Sequence, residues 1–184
     1  MPRPVPILVA LALCAVPALA AAQAPAPAAT DTNPMTSAAR AQFGMVKTYI
    51  LKSADKVSED LYGFKPTPEV RSFGELFGHI ASANYVICAR ALAEKNPSAE
   101  NIEKTRTSKA DLQKALAESF AYCEAAFGKV DDKSGMELVD LFRQKQPKLA
   151  ALAFNTAHDF EHYGNLVTYM RLKGIVPPSS EGGM

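Results

Sequence analysis

The chain has 184 residues, with 20 Lys+Arg against 19 Asp+Glu for a formal net charge of +1, and 48% of it is hydrophobic. That length buries one sizeable core and is short for two domains, and the composition is that of a globular protein. The near-zero charge excludes a strongly basic chain built to neutralise phosphates, and equally an acidic disordered tail.

In chain order, residues 1–22 read as a secretory signal peptide. Arg3 precedes an apolar run from Val5 to Leu19, and two overlapping A-x-A cleavage patterns end at Ala20 and Ala22. The run is too short to span a bilayer as a stable helix, so no stable membrane insertion is expected after cleavage. Leu13 is too large to precede a lipidated Cys14, and no arginine pair marks the twin-arginine route. The mature chain is expected to start at Ala21 or Gln23 and to reside in the periplasm or outside the cell. Residues 23–35, rich in Ala and Pro, read as a flexible linker, and 36–180 as the folded domain.

Four amphipathic segments fill that domain. The first runs from Thr36 to Leu61, with Val46, Ile50, Ala54, Val57 and Leu61 recurring at spacings of three and four. The second opens at Ser72, where Glu75 completes a capping box, and carries the stripe Leu76, Ile80, Ala83, Ile87 and Ala91 to Asn96-Pro97. The third opens at Ser108 with Asp111 and runs through Leu112, Leu116, Ser119, Cys123 and Phe127 to Gly128. The fourth has Pro147 in its first turn and runs to about Lys173, with Gly174 just beyond it and Pro177-Pro178 stopping any continuation. Residues 129–146 read as a long charged connection, and no segment reads as a convincing strand. The expected fold is all-α, a four-helix bundle. The connection between the second and third helices could run the bundle's length, so the helix order stays open.

Export leaves Cys88 and Cys123 as an even pair in an oxidising compartment, which predicts a disulfide between the second and third helices; two buried free thiols are the alternative. The chain has only three histidines. His158 and His162 are four residues apart, about 40° apart in direction on a helix, and two such imidazoles can chelate one metal. His79, beside the second helix's apolar stripe, can complete a three-histidine site inside the bundle. The bland alternative is a core histidine at 79 and surface histidines at 158 and 162. Asn155, Asn165 and Tyr169, polar on the same face, favour the metal. Asp159 and Glu161 read as a solvated helix face in preference to groups that orient a histidine. His158-Asp159-Phe160-Glu161-His162 also matches the inverted zinc-peptidase pattern, but the chain ends too soon after it for the downstream carboxylate ligand. Phosphate loops, nucleophile elbows and CxxC pairs are absent from the sequence, and the scattered cations give nucleic-acid binding no support.

The run from Leu61 to His79 (LYGFKPTPEVRSFGELFGH), together with His158-x-x-x-His162-Tyr163-Gly164-Asn165 through Leu172-Lys173-Gly174, resembles the DinB/YfiT-like superfamily over roughly residues 36–180. The resemblance implies a four-helix bundle, often a homodimer, with one divalent metal on His79, His158 and His162. It also implies a metal-dependent enzyme acting on a small-molecule substrate, of transferase or hydrolase type through an activated water or thiol. Zinc is the first expectation for the ion, with nickel, iron or manganese as alternatives. The competing reading is a non-catalytic bundle that binds metal for stability or serves as an interaction module.

Overall fold

A computed structural model describes residues 31–182; the expected signal peptide and the linker before Asp31 lie outside the described residues. The described chain is helical, as the spacing predicts. Helix α1 spans Pro34–Lys56, α2 Phe73–Ala91, the short α3 Ile102–Thr105, α4 Lys109–Gly128 and α5 Lys148–Leu172. Helices α1 and α2 each pack against both α4 and α5. Consecutive long helices therefore sit mainly on diagonals of the bundle, and the order around it is α1, α4, α2, α5.

The predicted stripes form the core. Val46, Ile50, Ala54, Leu76, Ile80, Ile87, Leu112, Leu116, Cys123 and Phe127 are all buried. Phe43 joins them against Phe120 and Phe127, with ring centroids 5.9 and 4.9 Å away.

Helix ends follow from specific groups. At α2, Ser72 Oγ accepts from the Glu75 amide and Glu75 Oε2 accepts from the Ser72 amide at 2.7 Å, which is the capping box in full. Ser108 accepts from the Asp111 amide at the start of α4. Gly174, at φ 70°, closes α5 by letting the Ile175 amide reach the Met170 carbonyl. Helix α1 begins at Pro34, two residues ahead of the expectation. The carboxylate of Asp132, remote in sequence, accepts from the amides of Met35 and Thr36 there.

Helix α1 also ends earlier than expected, at Lys56, although its apolar stripe continues to Leu61. Side chains from elsewhere satisfy its last carbonyls. Lys109 Nζ donates to Asp55 O and Val57 O, and the Tyr62 hydroxyl donates to Ala54 O. The helix needs no further turn, and residues 59–61 form a single 3-10 turn. Helix α2 likewise stops at Ala91, short of Asn96-Pro97, as Ala93 turns to a φ of 56°.

The expectation of no strand is corrected. Within 129–146, β1 (Leu138–Leu141) pairs antiparallel with β2 (Gln144–Pro147), Val139 opposite Gln146 and Leu141 opposite Gln144. Val139 and Leu141 point into the core and their neighbours point out, so this short period-two pattern closes one side of the bundle. Pro147 consequently belongs to the strand and serves as the N-cap of α5, one position before its first turn.

Cys88 and Cys123 are joined as a disulfide between α2 and α4, with Cα atoms 5.4 Å apart and a separation of 35 residues. In the chain-entropy account, a loop of that size stabilises by about 3–4 kcal/mol. Urea unfolding of the paired Cys88→Ala/Cys123→Ala variant should show a loss of that order. Thiol mapping of denatured, unreduced protein should find neither cysteine free.

Candidate metal centre

Helix α2 supplies His79 and α5 supplies His158 and His162, one turn apart. The structure brings together all three histidines singled out in the sequence. One nitrogen from each ring lies within 4.8 Å of the others. His158 Nε2 is 3.2 Å from His79 Nε2 and 3.0 Å from His162 Nε2. Two nitrogens held 2.0–2.1 Å from a common centre at a tetrahedral angle would be about 3.3 Å apart, so the spacing is that of a chelate.

The tautomers point the same way. His79 Nδ1 lies 3.2 Å from Glu103 Oε2, which accepts its proton and leaves a bare lone pair on Nε2. Were the site to hold protons alone, a single N–H on His158 Nε2 would have to serve both neighbours. A shared cation serves all three lone pairs. Three neutral imidazoles on one face of the cluster are a donor set that fits zinc, nickel or iron.

Electrostatics keep the rings neutral. Burial lowers His79, with the nearby Arg71 charge adding to it and Glu103 opposing. Burial, then His79 and Arg71, takes His158 down to about 4. Burial, then His158, His79 and Arg71, takes His162 down to about 3. Proton competition for a metal therefore sets in at lower pH than the ordinary histidine range of 6 to 7 that composition alone suggests.

Glu103 is a site residue that sequence reasoning missed. It lies on α3, in a connection too short and polar to show periodicity, and it divides its carboxylate between His79 and Arg71, whose Nε donates at 2.8 Å. The available signal was Gly78. A Cβ at that position would stand 2.6 Å from Glu103 Cα and 2.9 Å from Glu103 N, so glycine is what lets α3 lie directly on α2.

Asp159 also departs from expectation. It is fully buried, not part of a solvated face, and burial drives its carboxyl well above the usual aspartate range. It ends a polar seam through the core. Asn155 Nδ2 donates to Asp159 Oδ2 and to Asn84 Oδ1, Asn84 Nδ2 donates to Ser119 Oγ, and Ser119 donates to Leu116 O. Of the polar residues expected inward on α5, Asn155 and Tyr169 are buried, whereas Asn165 is exposed; Glu161 is exposed, as its reading on a solvated face implies.

Two cavities meet at the triad. One of about 610 Å³ is lined by His79 and His158, and one of about 570 Å³ by His162 with Arg71, Glu103 and Glu161. The site is open to small molecules and is not sealed by protein.

Residues 42–166 match the DinB superfamily. The chain belongs to that superfamily. It is 31% identical over 124 residues to the uncharacterized protein YjoA of Bacillus subtilis strain 168, covering 66% of this chain and 79% of the relative. A DinB-like protein from Bacillus cereus ATCC 10987 superposes with a TM-score of 0.68 at 17% identity, covering 77% of this chain and 95% of the other. The B. subtilis YjoA structure gives 0.61 at 24% identity, covering 80% and 99%. The family and the bundle inferred from the histidine-bearing runs are both shown.

Gly78→Ala should push α3 off α2 and draw Glu103 from His79. We expect a stability loss of about 1–3 kcal/mol and weaker metal retention in chelator competition, whereas Gly164→Ala, facing open space, should do neither. The lowered histidines also give a signed pH dependence. In the metal-free chain the unfolded state binds more protons once pH falls below the free-histidine value of about 6.5, so stability should decline from there toward pH 4. Asp159 acts in the opposite sense, because its folded form holds a proton that the unfolded form releases above about 4. Urea titrations at pH 7, 6 and 5 should show the decline in the wild type and a flatter profile in a His158→Asn/His162→Asn variant.

Proposed function

We propose that this superfamily member is an exported metal-dependent enzyme whose divalent ion is held by His79, His158 and His162. The observation that carries the reading is the convergence of three neutral imidazoles where two cavities meet. A purely structural site would be closed on all sides by protein ligands.

The bound ion would supply a Lewis acid that lowers the pKa of a water or thiol and makes it nucleophilic near neutral pH. The chain's own residues prepare that chemistry. Glu103 accepts the Nδ1 proton of His79, fixing its ring and raising the basicity of Nε2. Arg71 pairs with Glu103 and holds that carboxylate in place beside the site. The helical spacing of His158 and His162 holds two rings on one face without help from a loop. Transferase or hydrolase chemistry on a small molecule suits such an open site. Export is supported by the Arg3–Ala22 leader pattern and by the Cys88–Cys123 bridge, a bond that oxidising compartments preserve; the amino-terminal residue of protein recovered from the exported fraction tests it, Ala21 or Gln23 being expected.

Protein prepared without chelator should carry about one equivalent of a divalent metal, zinc first, by elemental analysis. His79→Ala and His158→Ala should each lose most of it while keeping the helical circular dichroism, because the apolar stripes are untouched. Equal metal content in the wild type and in His79→Ala would refute the site and leave a plain binding bundle.

A further inference from the structure

The turn between β1 and β2 is the feature that the metal reading leaves unused. Its two central residues, Phe142 and Arg143, both have positive φ, 49° and 69°. A two-residue hairpin loop demands this backbone, and Asn-Gly or Asp-Gly supply it with least strain. Phenylalanine has no polar side chain to satisfy the left-handed conformation locally, and its Cβ crowds the following carbonyl. Burial does not compensate, because Phe142 remains 54% exposed. A bulky apolar residue held in a strained, open position points to a role at a ligand site.

Its surroundings say which ligand. The Phe142 ring meets Phe154 of α5 edge-on, with centroids 5.9 Å apart, and Phe154 is itself 44% exposed. Together the two rings wall the cavity of about 610 Å³ that also reaches His79 and His158. Val86 and Ile87 of α2 extend the apolar lining, and Asn96 and Asn101 give the rim neutral hydrogen-bonding groups. The two carboxylates at the cavity are already paired, Glu100 with Arg106 and Glu103 with Arg71. No cation lines this cavity among the described residues, and the Arg90 guanidinium nearby lies over the Phe142 ring, 5.9 Å from its centroid, so the lining favours an uncharged body. The volume lies within the range of small-molecule sites.

We infer that Phe142 and Phe154 form the specificity wall for a small molecule with a metal-binding head and an uncharged apolar body, the head directed at the three histidines and the body packed against the wall the two rings make. This inference rests on the metal reading of the triad, and its test separates the two.

Zinc-loaded protein is titrated calorimetrically with acetohydroxamate and benzohydroxamate, which share a head and differ by the ring. The wild type should bind benzohydroxamate at least about tenfold more tightly. In Phe142→Ala/Phe154→Ala that advantage should fall below about threefold, with zinc content and acetohydroxamate affinity unchanged. A second variant, Phe142→Asn/Arg143→Gly, installs the residues that the turn prefers. It should unfold at the same or a higher temperature than the wild type and still lose most of the ring advantage, which excludes misfolding as the cause. Equal affinity of the wild type for both hydroxamates, or a full ring advantage in either variant, overturns the inference. If the wild type takes up no zinc, the metal reading fails, and the wall is judged on metal-free protein with the uncharged dye Nile red. Fluorescence enhancement lost in Phe142→Ala/Phe154→Ala then supports the apolar wall, and enhancement equal in both proteins overturns it.

Discussion

Three imidazoles packed ring against ring, with centroid separations of 4.4–5.2 Å, can coexist only if they carry no charge. The rest of the site answers to that constraint. Burial between α2 and α5 removes the water that would stabilise a protonated ring, and the Arg71 charge nearby makes a further proton still less welcome. Glu103 would by itself attract a proton to His79, but half of its carboxylate is taken by Arg71. The cluster is thus set to accept a cation that brings its charge to lone pairs, and to refuse one that arrives as a proton.

The polar seam behind the cluster constrains it in a different way. Ser119, Asn84, Asn155 and Asp159 come from three helices and find partners chiefly in each other. Rotating α5 or α2 by a fraction of a turn would strand buried amide groups, each at a cost of about 1–3 kcal/mol. Apolar stripes tolerate such rotation far better, because one methyl group packs much as another does. The asparagines therefore set the angle at which α5 presents His158 and His162 to α2.

The bundle was legible because its cues are repetitive. Leu76 through Ala91 and Leu112 through Phe127 repeat the helical period several times, and the serine caps state where α2 and α4 begin. Two histidines one turn apart are likewise a pattern that a helix interprets unambiguously. The hairpin was illegible because only Val139 and Leu141 carry its alternation, and Phe142-Arg143 is an unfavourable composition for its turn. Glu103 was illegible for a related reason, since four residues of α3 cannot display a period and its position depends on a glycine in another helix. Asp159 misled because a carboxylate beside histidines ordinarily faces water, and only its burial in the folded core reveals otherwise.

The bridge between Cys88 and Cys123 sits on the opposite side of α2 from His79, nine residues along the same helix. Helix α2 is therefore a mechanical hub: sulfur fastens one flank of it to α4, and nitrogen ligands are poised to fasten the other to α5. The two fastenings act in series and differ in reversibility, since one yields to reductant and the other to a chelator. On the metal reading, a chain without its ion would keep α2 and α4 as a cross-linked pair and hold α5, which carries two of the three imidazoles, to α2 only by core packing and the Asn155–Asn84 bond. The cavity lined by His79 and His158 borders that same contact, so on the metal reading occupancy of the histidine cluster and the width of the groove beside it would be two readings of one helix–helix contact.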